Sequence, residues 1–318
     1  MAVFKNGIFA RYNGQIITPQ SLGISLSGIQ ACQEYFSSAS IDDDTQKYDL
    51  YKLVADLGNS GVQATALSLE VCIPFIASAN ITDDTQKYAL YGLVVDLENY
   101  NIWDKMKVIY PFIGGSATAH KYNLKDSRDS DDAYRLAFQP TGWIHSNTGA
   151  LPNGGTYANT FFAPSLLDLD SAHMSYYSRT ATTSTSVDMG VGQTGFGDFY
   201  LAPRYSTGLY DISRINSGYP GGGTATVSQG LFTVSRVSST GFKTYKNDAI
   251  LTDRPSATST TAATLPIWIG AINLNGGIGD RTTREVAFAS IGDGLTDTEA
   301  ANLYTAVQRF QTTLGRQV

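Results

Sequence analysis

The chain has 318 residues, 22 Lys and Arg against 28 Asp and Glu, a net charge of -6, and 19 Tyr among its 11% aromatic residues. That is enough for one large β domain plus a smaller region, and it is not a disordered composition. The acidic balance without any basic run argues against a nucleic-acid partner, and no apolar run approaches the ~20 residues of a membrane span.

The opening stretch, MAVFKNGIFARYNGQIITPQ, has no apolar core of signal-peptide length, so a soluble chain beginning near Met1 and not exported by a cleaved signal is expected. Short alternating runs flank Asn6-Gly7 and Asn13-Gly14, the strongest short hairpin signal. Residues 1–38 therefore read as an N-terminal β arm or anchor.

The next region says almost the same thing twice: IDDDTQKYDLYKLVADL at 41–57 and ITDDTQKYALYGLVVDL at 81–97. Asp42 and Thr82 are candidate N-caps, and the acids that follow suit the first turn of a helix. Tyr48, Tyr51, Val54 and Leu57, matched by Tyr88, Tyr91, Val94, Val95 and Leu97, form an apolar stripe at helical spacing. Each copy is followed by an extended apolar run ending Pro-Phe-Ile, Val71–Ile76 and Val108–Ile113. The pattern predicts a duplicated helix–turn–strand unit, 39–78 and 79–115, acting as a packing module without chemistry. Cys32 and Cys72 are too few for a disulfide framework and read as small buried apolar residues, with a bridge between them left open.

Beyond residue 116 the chain becomes a series of short β-like runs broken by Gly, Pro and Asn. Examples are Tyr134–Phe138, His173–Tyr177, Phe199–Leu201, Gly230–Val237, Phe242–Lys246, Pro266–Gly270 and Glu285–Ala289. Their number and spacing predict a two-sheet sandwich over 116–318. Thr296 and Glu299 make a capping box, and Leu303, Tyr304, Val307 and Phe310 continue it into a closing helix over 296–314, stopped by Gly315.

Catalytic patterns are sparse. Retaining glycoside hydrolysis needs two carboxyl groups about 5 Å apart. No Glu has another acid two residues away, and the alternating pair Asp168 and Asp170 reads as a solvated edge. Gly190-Val-Gly192-Gln-Thr-Gly195 fits the dinucleotide pattern, but a strand-like run follows it where a helix start is required. His120, His145 and His173 are unpaired in sequence, which argues against a zinc site on spacing, and Asp126, Asp129, Asp131 and Asp132 lack the Gly and Glu of a calcium loop. No nucleophile elbow occurs. No metal, no cofactor and no enzymatic activity are expected. Trp143, His145, Tyr176, Tyr177, Tyr205 and Tyr210 lie at predicted loop edges, and aromatic rings with nearby amides suit sugar recognition. Core or subunit interface is the competing reading for each.

Two resemblances add to this. The strand ending Val234-Ser235-Arg236, the run Phe242–Asp248, Leu265–Ala271 and the ending from Glu285 through Leu295 resemble the concanavalin A-like (laminin-G type) jelly-roll family. With Ile102–Gly115, His120–Asp126, Gly142–Ser146 and Ala287–Ala301, residues 81–318 also resemble a module of tailed-bacteriophage structural proteins. The first implies a mainly β, concanavalin A-like jelly-roll sandwich, here preceded by the small α+β region with the duplicated helix–strand unit. The second implies a virion component: a fibre, tail-associated or head-decorating appendage. Its expected partners are other virion proteins and copies of itself, a trimer suiting a fibre, with host-surface glycan as the expected ligand. The alternatives are a glycan-degrading enzyme on the same fold and a decorating protein without ligand.

Overall fold

The computed structural model describes residues 10–12, 15–182, 186–205, 211–218, 223–225 and 227–318. Strands β1 (Ala10–Tyr12) and β2 (Gln15–Ile17) pair antiparallel with Tyr12 opposite Gln15. The rest of the expected arm, residues 1–9 and Asn13-Gly14, lies outside the described residues. Four helices follow: α1 (Leu26–Ser38), α2 (Asp44–Asn59), α3 (Ala66–Ser78) and α4 (Asp84–Asn99).

The arm therefore does not run to residue 38, and the duplicated unit is a helical hairpin. Val71–Ile76, expected as a strand, lies inside α3 even though Pro74 removes one helical hydrogen bond there. Burial explains the override. Leu69, Cys72 and Phe75 are enclosed by the neighbouring helices, so packing outweighs local preference. The repeat begins earlier than the matching sequence suggested. Ser25 and Thr65 cap α1 and α3, accepting from the Gly28 and Ser68 amides. Ser40 and Asn80 both turn through the left-handed region, at φ 53 and 52°. The caps of α2 and α4 are Asp43 and Asp83, one residue beyond the expected Asp42 and Thr82. Each Asp Oδ1 accepts from the first turn, at 2.9 Å from Gln46 N and 2.8 Å from Gln86 N.

Cys32 and Cys72 are equivalent, free and buried, and so are Tyr51 and Tyr91. Among the described residues neither phenol has a hydrogen-bond partner. A buried hydroxyl without a partner costs about 1–3 kcal/mol, so Tyr91→Phe should raise stability, by about 1 kcal/mol after loss of some packing. A urea titration of the variant against the parent reads this directly.

The sandwich strands are β3 (Met106–Tyr110), β4 (Ala137–Gln139), β5 (Ile144–Ser146), β6 (Gly149–Leu151), β7 (Tyr157–Asn159) and β8 (Ala172–Ser178). They continue with β9 (Met189–Gly192), β10 (Asp198–Leu201), β11 (Arg214–Ser217), β12 (Gly230–Arg236), β13 (Phe242–Lys246) and β14 (Ala249–Arg254). The last are β15 (Trp268–Ile269), β16 (Ala271–Leu274), β17 (Gly277–Arg281) and β18 (Val286–Gly292). The short helix α5 (Ala117–His120) follows β3, and α6 (Asp297–Thr313) follows β18. One sheet runs β14-β13-β12-β8-β18-β6-β5 with β3 also on β18, and the other runs β11-β10-β9-β15-β7-β4 with the β16–β17 hairpin against β9. Among the described strands all pairings are antiparallel except β16 on β9. The protein is thus a mainly β sandwich of antiparallel sheets with N-terminal helices. Because β3 pairs with β18, sandwich strands begin at Met106, inside the span read as the second helix–strand unit.

Alternation along the strands sorts the side chains. Val108, Tyr110, Met174, Tyr176, Phe232 and Val234 face the second sheet's Phe199, Leu201, Ile215 and Ile269. Tyr177, Leu231 and Phe288 face the other way and pack under α6, whose Leu303, Val307 and Phe310 complete one core with the helical hairpins. The capping box of Thr296 and Glu299 forms as expected. Gly190 and Gly192 lie in strand β9 with no helix after them. A Cβ at Gly190 would meet the Tyr200 Cβ at 2.2 Å, so close packing explains that glycine. No described helix is long and apolar enough to cross a membrane.

Candidate functional site: an aromatic wall and an acidic groove

The chain crosses from β4, the edge of one sheet, to β5, the edge of the other, through Pro140–Trp143. Trp143 and His145 meet there, near-parallel with ring centroids 6.3 Å apart. Phe138 stands edge-on to both, at 5.3 and 4.6 Å. Trp143 Nε1 donates to the Tyr157 carbonyl at 3.3 Å, and Tyr157 stacks on Trp268 at 3.7 Å and 15°. Gly270 (φ +90°) lets the backbone pass beneath the indole, since a Cβ would lie 2.8 Å from Trp143 Cζ2. Phe138, Trp143, His145 and Tyr157 are half-buried, while Gln139, Ile144 and Asn153 beside them are exposed. Behind the wall His145 Nδ1 lies 3.0 Å from His120 Nδ1, one ring donating to the other. Burial, His145 and Arg316 push His120 down to about 3, and burial lowers His145 as well. At neutral pH both rings are uncharged, and the wall presents apolar faces edged by amides.

Of the six residues singled out in the sequence, the fold brings Trp143 and His145 together. Tyr176 and Tyr177 are fully buried and offer no face to a ligand. Tyr176 donates from the inner face to the Arg284 carbonyl at 2.8 Å, and Tyr177 donates to Gln308 Oε1 under α6 at 3.1 Å. Tyr205 lies elsewhere, its hydroxyl donating to Asp280 Oδ2 at 2.7 Å. Tyr210 lies outside the described residues. Phe138, Tyr157 and Trp268 were missed in the sequence. Each sits within a strand-like run, and only cross-strand register (Ala158 against both Phe138 and Ile269) shows that they converge.

A second feature lies against α6. A cavity of about 250 Å³ is lined by Lys243, Tyr245, Asp253 and Asp297 among others. Lys243 Nζ stands 2.8 Å from Asp297 Oδ2 and 3.9 Å from Asp253 Oδ2, and Tyr245 donates to Asp297 Oδ1 at 2.8 Å. These hydrogen bonds hold the Asp297 carboxyl below its usual range and Lys243 above its own. Residues 54 and 44 positions apart gather here, which no linear spacing signals. The pairs that spacing did suggest have local explanations. Asp168 Oδ1 accepts the Asp170 amide in a turn, and Asp126, Asp129, Asp131 and Asp132 are ion-paired with Arg128, Arg135 and Lys121. Among the described residues no group of three or more His, Cys, Asp or Glu is placed to hold a metal ion.

No family model matches the chain, and no curated protein matches it. Solved structures do. Domain 4 of AbnA, a GH43 extracellular arabinanase from Geobacillus stearothermophilus in complex with arabinotriose, is similar at 16% identity and TM-score 0.44, over 63% of this chain and 98% of that one. Trypanosoma rangeli sialidase with 2,3-difluorosialic acid is similar at 12% and 0.44, over 63% of this chain but only 32% of that one. The CBM40 of Ruminococcus gnavus IT-sialidase bound to α2,3 sialyllactose is similar at 14% and 0.30, over 41% and 79%. The expectation of a protein without enzymatic activity is corrected here. Glycoside hydrolases stand among the similar structures, and two carboxylates that the sequence spacing did not pair, Asp253 and Asp297, approach one ammonium.

Proposed function

We propose that this protein recognises glycan through the wall formed by Phe138, Trp143, His145, Tyr157 and Trp268. The observation carrying this reading is the convergence of the half-buried rings of Phe138, Trp143, His145 and Tyr157, with the buried Trp268 stacked on Tyr157, and exposed amides at one sandwich edge. A pyranose presents C–H faces to rings and hydroxyl edges to amides, so both halves of the surface have a counterpart on a sugar. We read the sandwich more finely as a concanavalin A-like jelly roll, supported by the resemblance of the residues from Val234 onward. The resemblance of residues 81–318 to tailed-phage structural modules supports a place on a virion, as an oligomeric appendage whose helical hairpins and N-terminal strands make assembly contacts. Immunogold imaging of particles tests that placement.

The glycan reading is tested by titrating an oligosaccharide panel while following tryptophan fluorescence. Trp143→Ala is expected to weaken binding about tenfold or more, as loss of a central aromatic anchor does. Unchanged affinity in Trp143→Ala would remove the wall from recognition.

The groove favours a second reading, glycan cleavage. Asp253 and Asp297 both approach one ammonium, and a pair of close carboxyls is what glycoside hydrolysis uses. Reducing ends released from bacterial polysaccharide, and abolished in Asp253→Asn and Asp297→Asn, would establish this reading over pure adhesion.

A further inference from the structure

A third feature shares no residue with the wall or the groove. Between β3 and the loops that follow it lies a cavity of about 470 Å³, lined by Asp104, Met106, Lys107, Lys125, Tyr134, Phe162 and Leu166. Its apolar side is Tyr134 and Phe162, edge to face at 4.9 Å, with Leu166 56% exposed at the rim. Its polar side is two ammonium groups and one carboxylate. Lys107 is neutralised by Asp293 at 2.7 Å. Lys125 differs. Its Nζ donates to the Trp103 carbonyl at 3.1 Å and lies over the Trp103 ring at 3.7 Å, yet no carboxylate among the described residues comes within 4.0 Å. A half-buried cation held by a carbonyl and a ring keeps donor capacity for an anion. Asp104 also makes no ion pair among the described residues, leaving an acceptor free for hydroxyls. Tyr134 holds φ 58° and ψ 39°, an uncommon conformation for a bulky residue. The Tyr110 hydroxyl, donating to its carbonyl at 2.6 Å, fixes it there and aims its ring at Phe162.

We infer that this cavity binds a sugar acid, with its carboxylate on Lys125, its hydroxyls on Asp104 and its C–H face on Tyr134 and Phe162. One chemistry then accounts for the unpaired cation, the unpaired carboxylate and the ring pair together. A neutral sugar would bring Lys125 no counter-anion beyond Asp104, which lies outside ion-pair distance, and an apolar ligand would add no polar partner to either group. The site is independent of the proposed glycan wall, because no lining residue is common to the two.

Lys125 also gives the site a pH signature. Burial lowers its pKa to about 8, with Lys107 lowering it further and Asp104 opposing; Asp293 offsets the charge of Lys107. A carboxylate needs the protonated form, so affinity is expected to fall as pH rises through about 8. Ordinary lysines would hold it to about 10.

The test uses the whole chain with glucuronate, methyl glucuronate ester and glucose as probes, by calorimetry. Glucuronate is expected to bind, the ester and glucose at least about tenfold more weakly, and Lys125→Met to lose about tenfold or more. Trp143→Ala should keep the part of glucuronate binding that Lys125→Met removes, so failure of the wall and failure of this site are separable. On the unmodified protein, glucuronate is expected to protect Lys125 from acetic anhydride at pH 8, which holds even where Lys125→Met fails to fold. Absence of that protection, or glucose protecting Lys125 as well as glucuronate does, would overturn the assignment.

Discussion

Replacing Arg284 with methionine is expected to lower the free energy of unfolding by about 3–5 kcal/mol, because it strands the Asp188 carboxylate in the interior. Both side chains are wholly buried. Arg284 Nη1 reaches the two Asp188 oxygens at 3.0 and 2.9 Å, and Nη2 donates to the Arg204 carbonyl at 2.9 Å. The pair joins the two sheets: Asp188 leads into β9 of one and Arg284 leads into β18 of the other. The double replacement Arg284→Met, Asp188→Leu should regain most of the loss, since an apolar pair of similar volume needs no desolvation of charge. Guanidinium titrations of the two single variants and the double variant give the coupling. A loss in the double variant equal to the sum of the single losses would show that the two charges do not depend on each other. The Gly270 amide donates to the Asp188 carbonyl at 2.8 Å, and Gly270 lies under Trp143, so the same variants also probe how firmly the aromatic wall is held.

Much of the sandwich was legible because short strands declare themselves by alternation. His173–Tyr177, Gly230–Val237, Phe242–Lys246 and Glu285–Ala289 all fall on strands, and the capping box at Thr296 marks the last helix. The helical repeat was legible in its second helix alone, where charged and apolar residues alternate with a helical period. Its first helix was hidden. Ala66–Ser78 is apolar almost all round and contains Pro74, so its local pattern is that of a buried strand. The shared Pro-Phe-Ile shows how little a tripeptide fixes. Pro74-Phe75-Ile76 is helical, whereas Phe112 in Pro111-Phe112-Ile113 turns out of a strand at φ 48°. The candidate sites were the least legible part. Trp143 and His145 announce themselves by type, but the wall also needs Tyr157 and Trp268. The groove needs Asp253 and Asp297, which only the folding of β13, β14 and α6 brings to one lysine. The duplicated stretch remains architecture: its caps, its left-handed turns and its paired buried Cys and Tyr repeat a packing solution.

Acid is expected to unfold the protein well above the carboxylate range, because two histidines must be neutral in the fold. His173 is buried between β8 and β18, with Nδ1 2.6 Å from the Asp293 carbonyl and Nε2 3.2 Å from Ser290 Oγ. Burial lowers it to about 4, the Asp293 carbonyl opposing. His120, with Nε2 enclosed and unpartnered among the described residues, is lowered to about 3. A histidine whose folded pKa is depressed contributes its full stability above the unfolded value of 6.5. That contribution is lost as pH falls from 6.5 towards the folded value, since the unfolded chain takes up the proton first. At about 1.4 kcal/mol per pKa unit, His173 accounts for about 3 kcal/mol at most and His120 for about 5, so stability should be flat above pH 7 and fall steeply between pH 6 and 4. His173→Gln keeps a donor for the Asp293 carbonyl and an acceptor but cannot charge. It is expected to be less stable than the parent at pH 7 and to lose less on acidification, so that the two curves converge by pH 4. Urea midpoints measured every half pH unit decide it: parallel curves would mean that His173 takes up its proton at the same pH in the folded and the unfolded chain.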